Sequence, residues 1–302
     1  MYITLENFGF KPTLIALNTT INIYFLRKYL NIKEIRNYAT DLKQNDFDIL
    51  LVNSDQVWNQ YYKRLLEVGF LSFAEKWNIS KIVYGASLAH DHWNPSKVVI
   101  NKARKLVKQF SGVSVRELGS VAIMKKQIGV EPNFVLDPTL LLDKKDYLKI
   151  IKDYKPNIDL RKKYLCIYVL DKSKILNDFI ERANLELNYL IINITLSGND
   201  YIEKFIFSVN ICSSMITDSF HGTIFSIIFG TPFIAFINVN RGNSRFFSLN
   251  KIFELNDRII FQKNFEKKDI DILKNFPRIN MTKFNCLKEQ SLLFLKKHLG
   301  LI

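Results

Sequence analysis

Residues 215–236 contain, in order, the patterns of a strand, a polar turn, a helix and a second strand. An apolar entry gives way to the turn TDSFHG (217–222), an apolar run follows (224–229), and a Gly-Thr-Pro turn separates it from a second apolar run (233–237). In such a unit the turn lies at the carboxyl end of a strand and the amino end of a helix, where open α/β sheets bind ligands. Free backbone N–H groups attract anions there. The stretch therefore predicts an α/β fold and a place for its chemistry.

Short apolar runs that end in polar or glycine-containing turns recur along the chain. The predicted strands are 48–52, 81–87, 112–116, 133–137, 164–170, 189–193, 214–217 and 233–237, and the predicted helices are 98–110, 173–187, 202–210 and 287–299. Continuous apolar runs are typical of parallel strands that are covered on both faces, and their alternation with helices indicates the α/β class. We expect two Rossmann-like domains that face each other across a cleft.

The composition changes between residues 144 and 163, where the chain is charged and contains Pro156. We interpret this segment as an interdomain connection, with a first domain at 1–150 and a second at 151–302. The first domain is expected to be abbreviated, because only 47 residues precede Asp48 and residues 1–40 show no glycine-containing strand-end loop.

The net charge of +14 at pH 7 is spread along the chain without a polybasic tail. Such a charge suits nucleic acid, an anionic membrane surface or an anionic substrate. Nucleic acid ranks last, because the basic residues do not cluster with aromatic ones. The amino terminus lacks a signal-peptide pattern, no apolar run is long enough to span a membrane, and the cysteines show no metal spacing. A cytoplasmic protein is expected, and a peripheral position at the inner face of the membrane stays open.

Four basic side chains are candidates for binding an anion. His221 lies in the TDSFHG turn and could donate a proton or bind an oxyanion. Arg116 ends a predicted strand, and Arg241 and Arg245 follow another in a Gly/Asn/Ser loop that could equally be solvated. Arginine suits carboxylate and phosphate groups because its planar fork binds them with two hydrogen bonds.

Polar residues at the same strand ends have two interpretations. Asp55 and Asp137 commonly cap the following helix at such positions, although a general base is an alternative. Asp218 and Ser219 flank His221 and are candidates for proton transfer and substrate binding. His90 and His92 with one carboxylate between them are a weak metal signal. No P-loop, G-x-G-x-x-G or nucleophile elbow is present in the sequence.

Six fragments in a fixed order resemble the polysaccharide pyruvyl transferase family over about residues 45–260. They are DILLVNSDQVWN (48–59), VYGAS (83–87), GVSVRELGS (112–120), VLDPTLLL (135–142), MITDSFHGTIFSIIFGTPF (215–233) and NSRFFSLN (243–250). Each is weak alone, but the order and the SDQVW and TDSFHG anchors make the set specific.

The resemblance implies a glycosyltransferase-B-like fold with an acceptor side at 1–150 and a donor side at 151–302. It implies transfer of the enolpyruvyl carbons of phosphoenolpyruvate onto two hydroxyls of a sugar or lipid-linked glycan, with a pyruvate ketal and phosphate as products. Arg116 and His221 would contact the donor, with either Arg241 or Arg245. In the matching chemistry His221 would protonate C3 and Asp55 or Asp218 would deprotonate the sugar hydroxyl. No metal or cofactor is required.

The chain departs from the family pattern in places. Some members have Arg-Leu-His where this chain has Ser219-Phe220-His221, and Asn53 replaces the usual glycine before SDQ. Two alternatives therefore stay open: a glycosyltransferase-B-like enzyme that uses a nucleotide sugar, and a degenerate, non-catalytic protein that binds glycans or partner proteins.

Overall fold

The structure is a computed structural model that describes residues 13–17, 31–35, 38–62, 64–195, 197–237, 243–261 and 270–302. Its strands form two parallel sheets and one parallel pair. The strands are β1 Thr13–Leu17, β2 Asn31–Ile35, β3 Ile49–Val52, β4 Ser80–Ala86, β5 Gly112–Val115, β6 Asn133–Phe134, β7 Tyr164–Tyr168, β8 Leu190–Asn193, β9 Ser214–Thr217, β10 Phe233–Ile237 and β11 Ile259–Phe261.

Helices alternate with these strands, as an α/β fold requires. They are α1 Tyr38–Asp41, α2 Lys97–Val107, α3 Leu118–Ile123, α4 Lys144–Ile150, α5 Lys174–Leu187, α6 Tyr201–Ile211, α7 Phe220–Phe229, α8 Ser244–Phe253 and α9 Met281–His298. Short 3-10 helices lie at Gln44–Asp46, Ser72–Ala74, Pro138–Leu141 and Ile270–Lys274. Single π-helical turns lie at Leu65–Gly69 and Met124–Ile128.

The first sheet has the order β3-β4-β5-β6, and all of its neighbouring strands are parallel. Its centre is β4, which is buried from Lys81 to Ala86. Gly85 in this strand has φ of +59°, a left-handed conformation that favours glycine, and the register to β5 shifts beside it. Because the strands are parallel, their carboxyl ends lie at one edge of the sheet, where each strand continues into a loop.

The second sheet has the order β11-β10-β9-β7-β8 and is also parallel. Every residue of β7, β9 and β10 is buried, because helices cover both faces. The edge strand β8 is mostly exposed. The continuous apolar runs of the sequence thus correspond to the central strands, as predicted.

One apolar core spans both sheets. It joins Tyr84 and Leu136 of the first half to Tyr168 and Phe225 of the second. The last helix, α9, packs back onto the first half: the ring of Phe294 lies 6.1 Å from that of Tyr84. The Leu136 amide also donates to the Ser291 hydroxyl at 2.9 Å. The boundary at residue 150 stays a prediction, as does the two-domain cleft.

The eight predicted strands are all present, but several other expectations need correction. The segment 144–163 is not a bare connection, since α4 opens it and buries Tyr147 and Ile150 in the core. Asp143 starts this helix with a capping box, a signal that the charged composition concealed. The strands β1, β2 and β11 were not predicted, and the fourth predicted strand is only two residues long.

Candidate functional site

Arg116 follows β5 directly, and its guanidinium lies buried among groups from neighbouring strand ends. It donates to the Ser54 hydroxyl at 3.1 Å, to Asp55 Oδ1 at 2.9 Å and to Asp137 Oδ2. Ser54 and Asp55 follow β3, and Asp137 lies beyond β6. The parallel topology explains the cluster, because it brings the carboxyl ends of these strands to one edge.

Asp137 is the buried counterion of Arg116. Its carboxylate also accepts hydrogen bonds from the backbone N–H, at 2.9 Å, and the hydroxyl of Thr139. Burial alone would raise the pKa of Asp137, but Arg116, His221 and these hydrogen bonds hold that pKa below its ordinary value. Burial likewise opposes the charge of Arg116, and Asp137 with Asp55 outweighs it and raises the pKa of Arg116. The pair is ionised. The predicted capping role of Asp137 is present too, since it begins the turn Pro138–Leu141.

The turn before α7 brings a helix amino terminus to the same region. The Ser219 hydroxyl caps α7 by accepting the Gly222 amide at 3.3 Å, so this candidate binding residue has a structural partner. Gly222 permits a close approach, because an added Cβ would lie 2.3 Å from the Thr217 hydroxyl oxygen. Thr217 itself donates to the Tyr168 carbonyl at 2.7 Å. These contacts fix the position of the next two side chains, Phe220 and His221.

Phe220 contacts two arginines that belong to different halves of the chain. The guanidinium carbons of Arg116 and Arg245 lie 5.0 Å and 5.4 Å from the centre of its ring. Cation–π contact of this kind favours both cations where water is scarce. Arg245 is buried at the start of α8, and burial together with Arg116 lowers its pKa. A single aromatic ring thus holds two guanidinium groups close together.

α8 is fastened to the first half by two hydrogen bonds. The Ser248 hydroxyl accepts the Leu118 amide at 3.0 Å, and the Ser244 hydroxyl donates to the Ala89 carbonyl at 3.5 Å. Both serines are buried. These contacts hold Arg245 next to the loop ends of the first sheet.

His221 is half-buried beside this pair of arginines. Burial is the largest cause that lowers its pKa below the ordinary value; Arg116 and Arg245 lower it further, while Asp137 and Asp55 oppose them. The imidazole is therefore neutral at neutral pH. A neutral imidazole can accept a proton, and the role of acid expected from the sequence stays a prediction.

Asp218 has a different environment from the one expected of a base. It is buried, and its two carboxylate oxygens accept the amides of Leu170 and Asp171 at 2.7 Å and 2.8 Å. This carboxylate holds the loop that follows β7 against the start of α7. The sequence could not distinguish this role, because an aspartate directly after a strand has the same local pattern in either orientation. The candidate base that lies with the arginines is Asp55.

Asp55 is the exposed carboxylate of the cluster. Its side chain is 63% exposed although it pairs with Arg116. Its backbone has φ of +83°, a strained conformation for a non-glycine residue. Strain of this kind is typical of residues that a surrounding network holds in place for function. Asp55 is therefore the one carboxylate of this cluster that reaches solvent.

Two other predictions concern residues away from the cluster. Arg241 lies outside the described residues. No group of three metal-ligating side chains is present in the part of the chain that the structure describes, so His90 and His92 have no metal geometry there. None of the helices in that part combines the length and apolar composition that a membrane crossing needs.

Two residues of this region were missed by sequence reasoning. Phe220 was noted only as part of a departure from the family triplet, although an aromatic ring between basic strand ends is a signal for cation–π contact. Glu117 is completely buried behind Arg116 and accepts hydrogen bonds from Ser87, Ser120 and the Leu88 amide. A charged residue directly after Arg116 was the available signal.

The site as a whole joins two guanidinium groups, a neutral imidazole, a helix amino terminus and one exposed carboxylate. The cations suit a small ligand that carries carboxylate or phosphate groups. The imidazole and carboxylate suit proton transfer. The arrangement supplies groups that can bind an anion and transfer a proton.

No curated protein sequence matches the chain. A family model described as polysaccharide pyruvyl transferase matches residues 4–240. The matched range starts 44 residues before the first of the six fragments named above (48–59), so it includes β1 and β2. It ends at residue 240, before α8. It also includes Arg116, Asp137 and His221. Because it covers more than half of the sequence, the chain belongs to the polysaccharide pyruvyl transferase family.

Proposed function

We propose that the protein transfers the enolpyruvyl carbons of phosphoenolpyruvate onto two hydroxyls of a sugar and forms a cyclic pyruvate ketal. Family membership supplies the reaction class. The observation that carries the donor assignment is that Arg116 and Arg245 both contact one ring, Phe220, beside His221. Phosphoenolpyruvate has a carboxylate and a phosphate, which is a charge pattern suited to two guanidinium groups.

The first half-reaction joins one sugar oxygen to C2 of the donor. Neutral His221 takes the proton of the attacking hydroxyl, the C2–O bond forms, and the imidazolium returns this proton to C3, which becomes a methyl group. The lowered pKa of His221 supports this order, because the imidazole starts without the proton. The guanidinium groups would stabilise the donor's negative charges throughout.

The second half-reaction closes the ring. The C2–O bond to phosphate breaks, a second sugar hydroxyl bonds to C2, and Asp55 accepts its proton before passing it to solvent or to the released phosphate. Two hydroxyl protons are thereby accounted for, one on C3 and one with phosphate. Asp55 is proposed because it is the exposed carboxylate that pairs with Arg116. Asp218 is left out of this scheme, since its oxygens accept backbone amides.

The acceptor in this proposal is a sugar of a surface polysaccharide or its lipid-linked precursor. The protein would work in the cytoplasm, with lipid-linked acceptors reached at the inner face of the membrane. Phosphoenolpyruvate is a donor substrate, and no cofactor or nucleic acid takes part in the proposed reaction.

Acceptor-dependent phosphate release from phosphoenolpyruvate tests the proposal. The wild-type protein should release phosphate with at least one sugar of a panel, and His221→Ala should lose about 10²–10⁴-fold in kcat. Arg161→Gln is a matched control, because this arginine is 89% exposed and distant in sequence from the cluster. Undiminished release by His221→Ala, or stabilisation by nucleotide sugars but not by phosphoenolpyruvate, would overturn the proposal.

A further inference from the structure

Two loops at the carboxyl edge of the first sheet carry four neighbouring ring side chains, of which three are exposed and one, His90, is half-buried. Tyr61 and Tyr62 are 67% and 50% exposed, and they follow β3. The Tyr61 ring meets His90 edge-on at 5.5 Å, and His90 lies 5.6 Å from His92; both histidines follow β4. We call these four residues the aromatic rim. Neighbouring exposed rings indicate a binding surface, since isolated ones are more usual.

The base beneath the aromatic rim is rigid. Trp58 and Trp93 are completely buried, and the Trp93 indole donates to the Trp58 carbonyl at 2.8 Å, which joins the two loops. The Trp58 amide donates to the Ser87 carbonyl at 3.2 Å, and its indole donates to the Gly69 carbonyl at 2.8 Å. A preorganised surface loses little conformational entropy when a ligand binds.

The turn that carries the tyrosines is equally well fixed. The side-chain oxygen of Asn59 accepts a hydrogen bond from the Tyr61 amide at 3.0 Å, and the backbone carbonyl of Asn59 accepts one from the Tyr62 amide at 3.1 Å. The Asn59 amide group in turn donates to the Gln56 side chain at 2.9 Å. These bonds hold the backbone of both tyrosines while their rings stay exposed.

The aromatic rim borders the anion site. Tyr62 lies within electrostatic range of Asp55 and Arg245: partial burial and Asp55 raise the pKa of Tyr62, and Arg245 opposes them. The pKa of His90 is lowered by burial, by His92 and by Arg245, while Asp91 and Glu117 oppose. The bond from Ser244 to the Ala89 carbonyl ties the start of α8 to the residue before His90. A ligand on the aromatic rim would therefore meet the proposed donor site at Asp55.

We propose that the aromatic rim binds the acceptor as a pyranose ring, an inference that rests on the proposed function. The apolar C–H face of a pyranose packs on an exposed tyrosine ring, and tyrosine hydroxyls and imidazole nitrogens bond its hydroxyl groups. A sugar held there would place its reactive hydroxyls toward Asp55 and the donor. Tyrosine anchors of this type commonly dominate binding energy.

A nucleic acid would also stack on such rings, but the charges favour a neutral sugar. Asp55 and Asp91 are exposed beside the aromatic rim and would repel a phosphodiester backbone. A protein partner is disfavoured because a group of four rings is much smaller than the roughly 20–30 residues that each side of a stable protein interface contributes.

Saturation-transfer NMR with a panel of methyl pyranosides tests the aromatic rim without any donor. The wild-type protein should transfer magnetisation to the C–H protons of at least one pyranoside. The double variant Tyr61→Ala/Tyr62→Ala should reduce the transfer at least tenfold, and Tyr61→Trp should retain it. Tyr189→Ala is the matched control, since this half-buried tyrosine lies directly before β8 in the second sheet and should leave the transfer unchanged. Equal transfer by the double variant, or transfer by no pyranoside, would overturn the proposal.

Kinetics separate this inference from the proposed function. In the double variant the acceptor KM should rise at least tenfold, while the Kd for phosphoenolpyruvate, measured by calorimetry, should stay within about twofold. Weakened donor binding with an unchanged acceptor KM would overturn the rim assignment while leaving pyruvyl transfer intact. If phosphoenolpyruvate neither binds nor releases phosphate, the proposed function fails, and the NMR result alone decides whether the rim binds sugars.

Discussion

The carboxyl edges of the two sheets use polar residues in opposite ways. At the first sheet, charged groups bond to one another: the buried Arg116 pairs with the buried Asp137 and with the exposed Asp55. At the second sheet, Thr217 bonds to the backbone of the last residue of β7, and Asp218 bonds to backbone amides of the loop that follows. The two edges share a parallel topology, yet one concentrates charge and the other fixes shape.

The difference indicates that the two edges have different roles. The first edge keeps a buried cation ionised beside an exposed carboxylate, which is costly to build and useful for binding a charged ligand. The second edge positions the start of α7, so that Phe220 and His221 meet those charges. Substitutions should therefore differ in kind between the two edges.

The largest effect is expected where the charge pair is broken. Asp137→Ala leaves the guanidinium of Arg116 buried without its main counterion, and it should lower the free energy of unfolding by about 3–5 kcal/mol. Urea denaturation measures this loss. Glu131→Ala removes an exposed pair with Lys125 and should cost about 0–1 kcal/mol. A loss under 1 kcal/mol for Asp137→Ala would show that the first edge is not held by charge.

At the second edge we expect a smaller loss of stability, with catalytic activity retained. Asp218→Ala leaves the amides of Leu170 and Asp171 without this acceptor and should cost about 1–3 kcal/mol in the same denaturation experiment. Asp218→Asn keeps the shape and one acceptor oxygen, so kcat should stay within about tenfold of wild type. A 100-fold fall in kcat with unchanged stability would restore Asp218 as a base.

A smaller free-energy effect again is expected for the contact of Phe220 with the two arginines, which joins the two edges. Phe220→Leu removes the ring that both Arg116 and Arg245 touch, and about 1–2 kcal/mol of lost stabilisation corresponds to a 5–30-fold higher Kd for phosphoenolpyruvate. Phe179→Leu is the control, because it removes a similar contact with Arg182 in α5. It should lower stability but leave the Kd unchanged. Equal Kd values in both variants would separate Phe220 from donor binding.

The smallest effect is expected in the pH dependence of stability. His221 has a lowered pKa in the folded state, so the unfolded chain binds more protons at acidic pH and folding loses stability as the pH falls below about 6.5. In His221→Gln the slope of unfolding free energy against pH between 7.5 and 5 should be shallower. The pKa of His298 in α9 is also lowered, so the slope in His298→Gln shows how much of the pH dependence comes from a histidine outside the site. An unchanged slope in His221→Gln would mean that the imidazole is not neutralised by its surroundings.

The sequence predicted the sheets well, because apolar runs such as those of β7, β9 and β10 can only be buried on both faces. It also predicted that Arg116 and His221 lie near each other, since strand ends of parallel sheets meet, and their roles stay predictions. The orientation of Asp218 was not predictable, because both orientations have the same local pattern. The contact of Phe220 with Arg245 depends on how α8 packs against the first half, which no local pattern encodes.

Calorimetric titration of phosphoenolpyruvate into the wild-type protein, Arg245→Gln and Arg161→Gln is the most direct test of the two-arginine donor site. Arg245 contacts the Phe220 ring that Arg116 also contacts, whereas Arg161 pairs with Asp159 on an exposed turn. The account predicts that Arg245→Gln raises the Kd at least tenfold and that Arg161→Gln leaves it within about twofold. Equal Kd values for wild type and Arg245→Gln, or no binding to the wild-type protein, would contradict it.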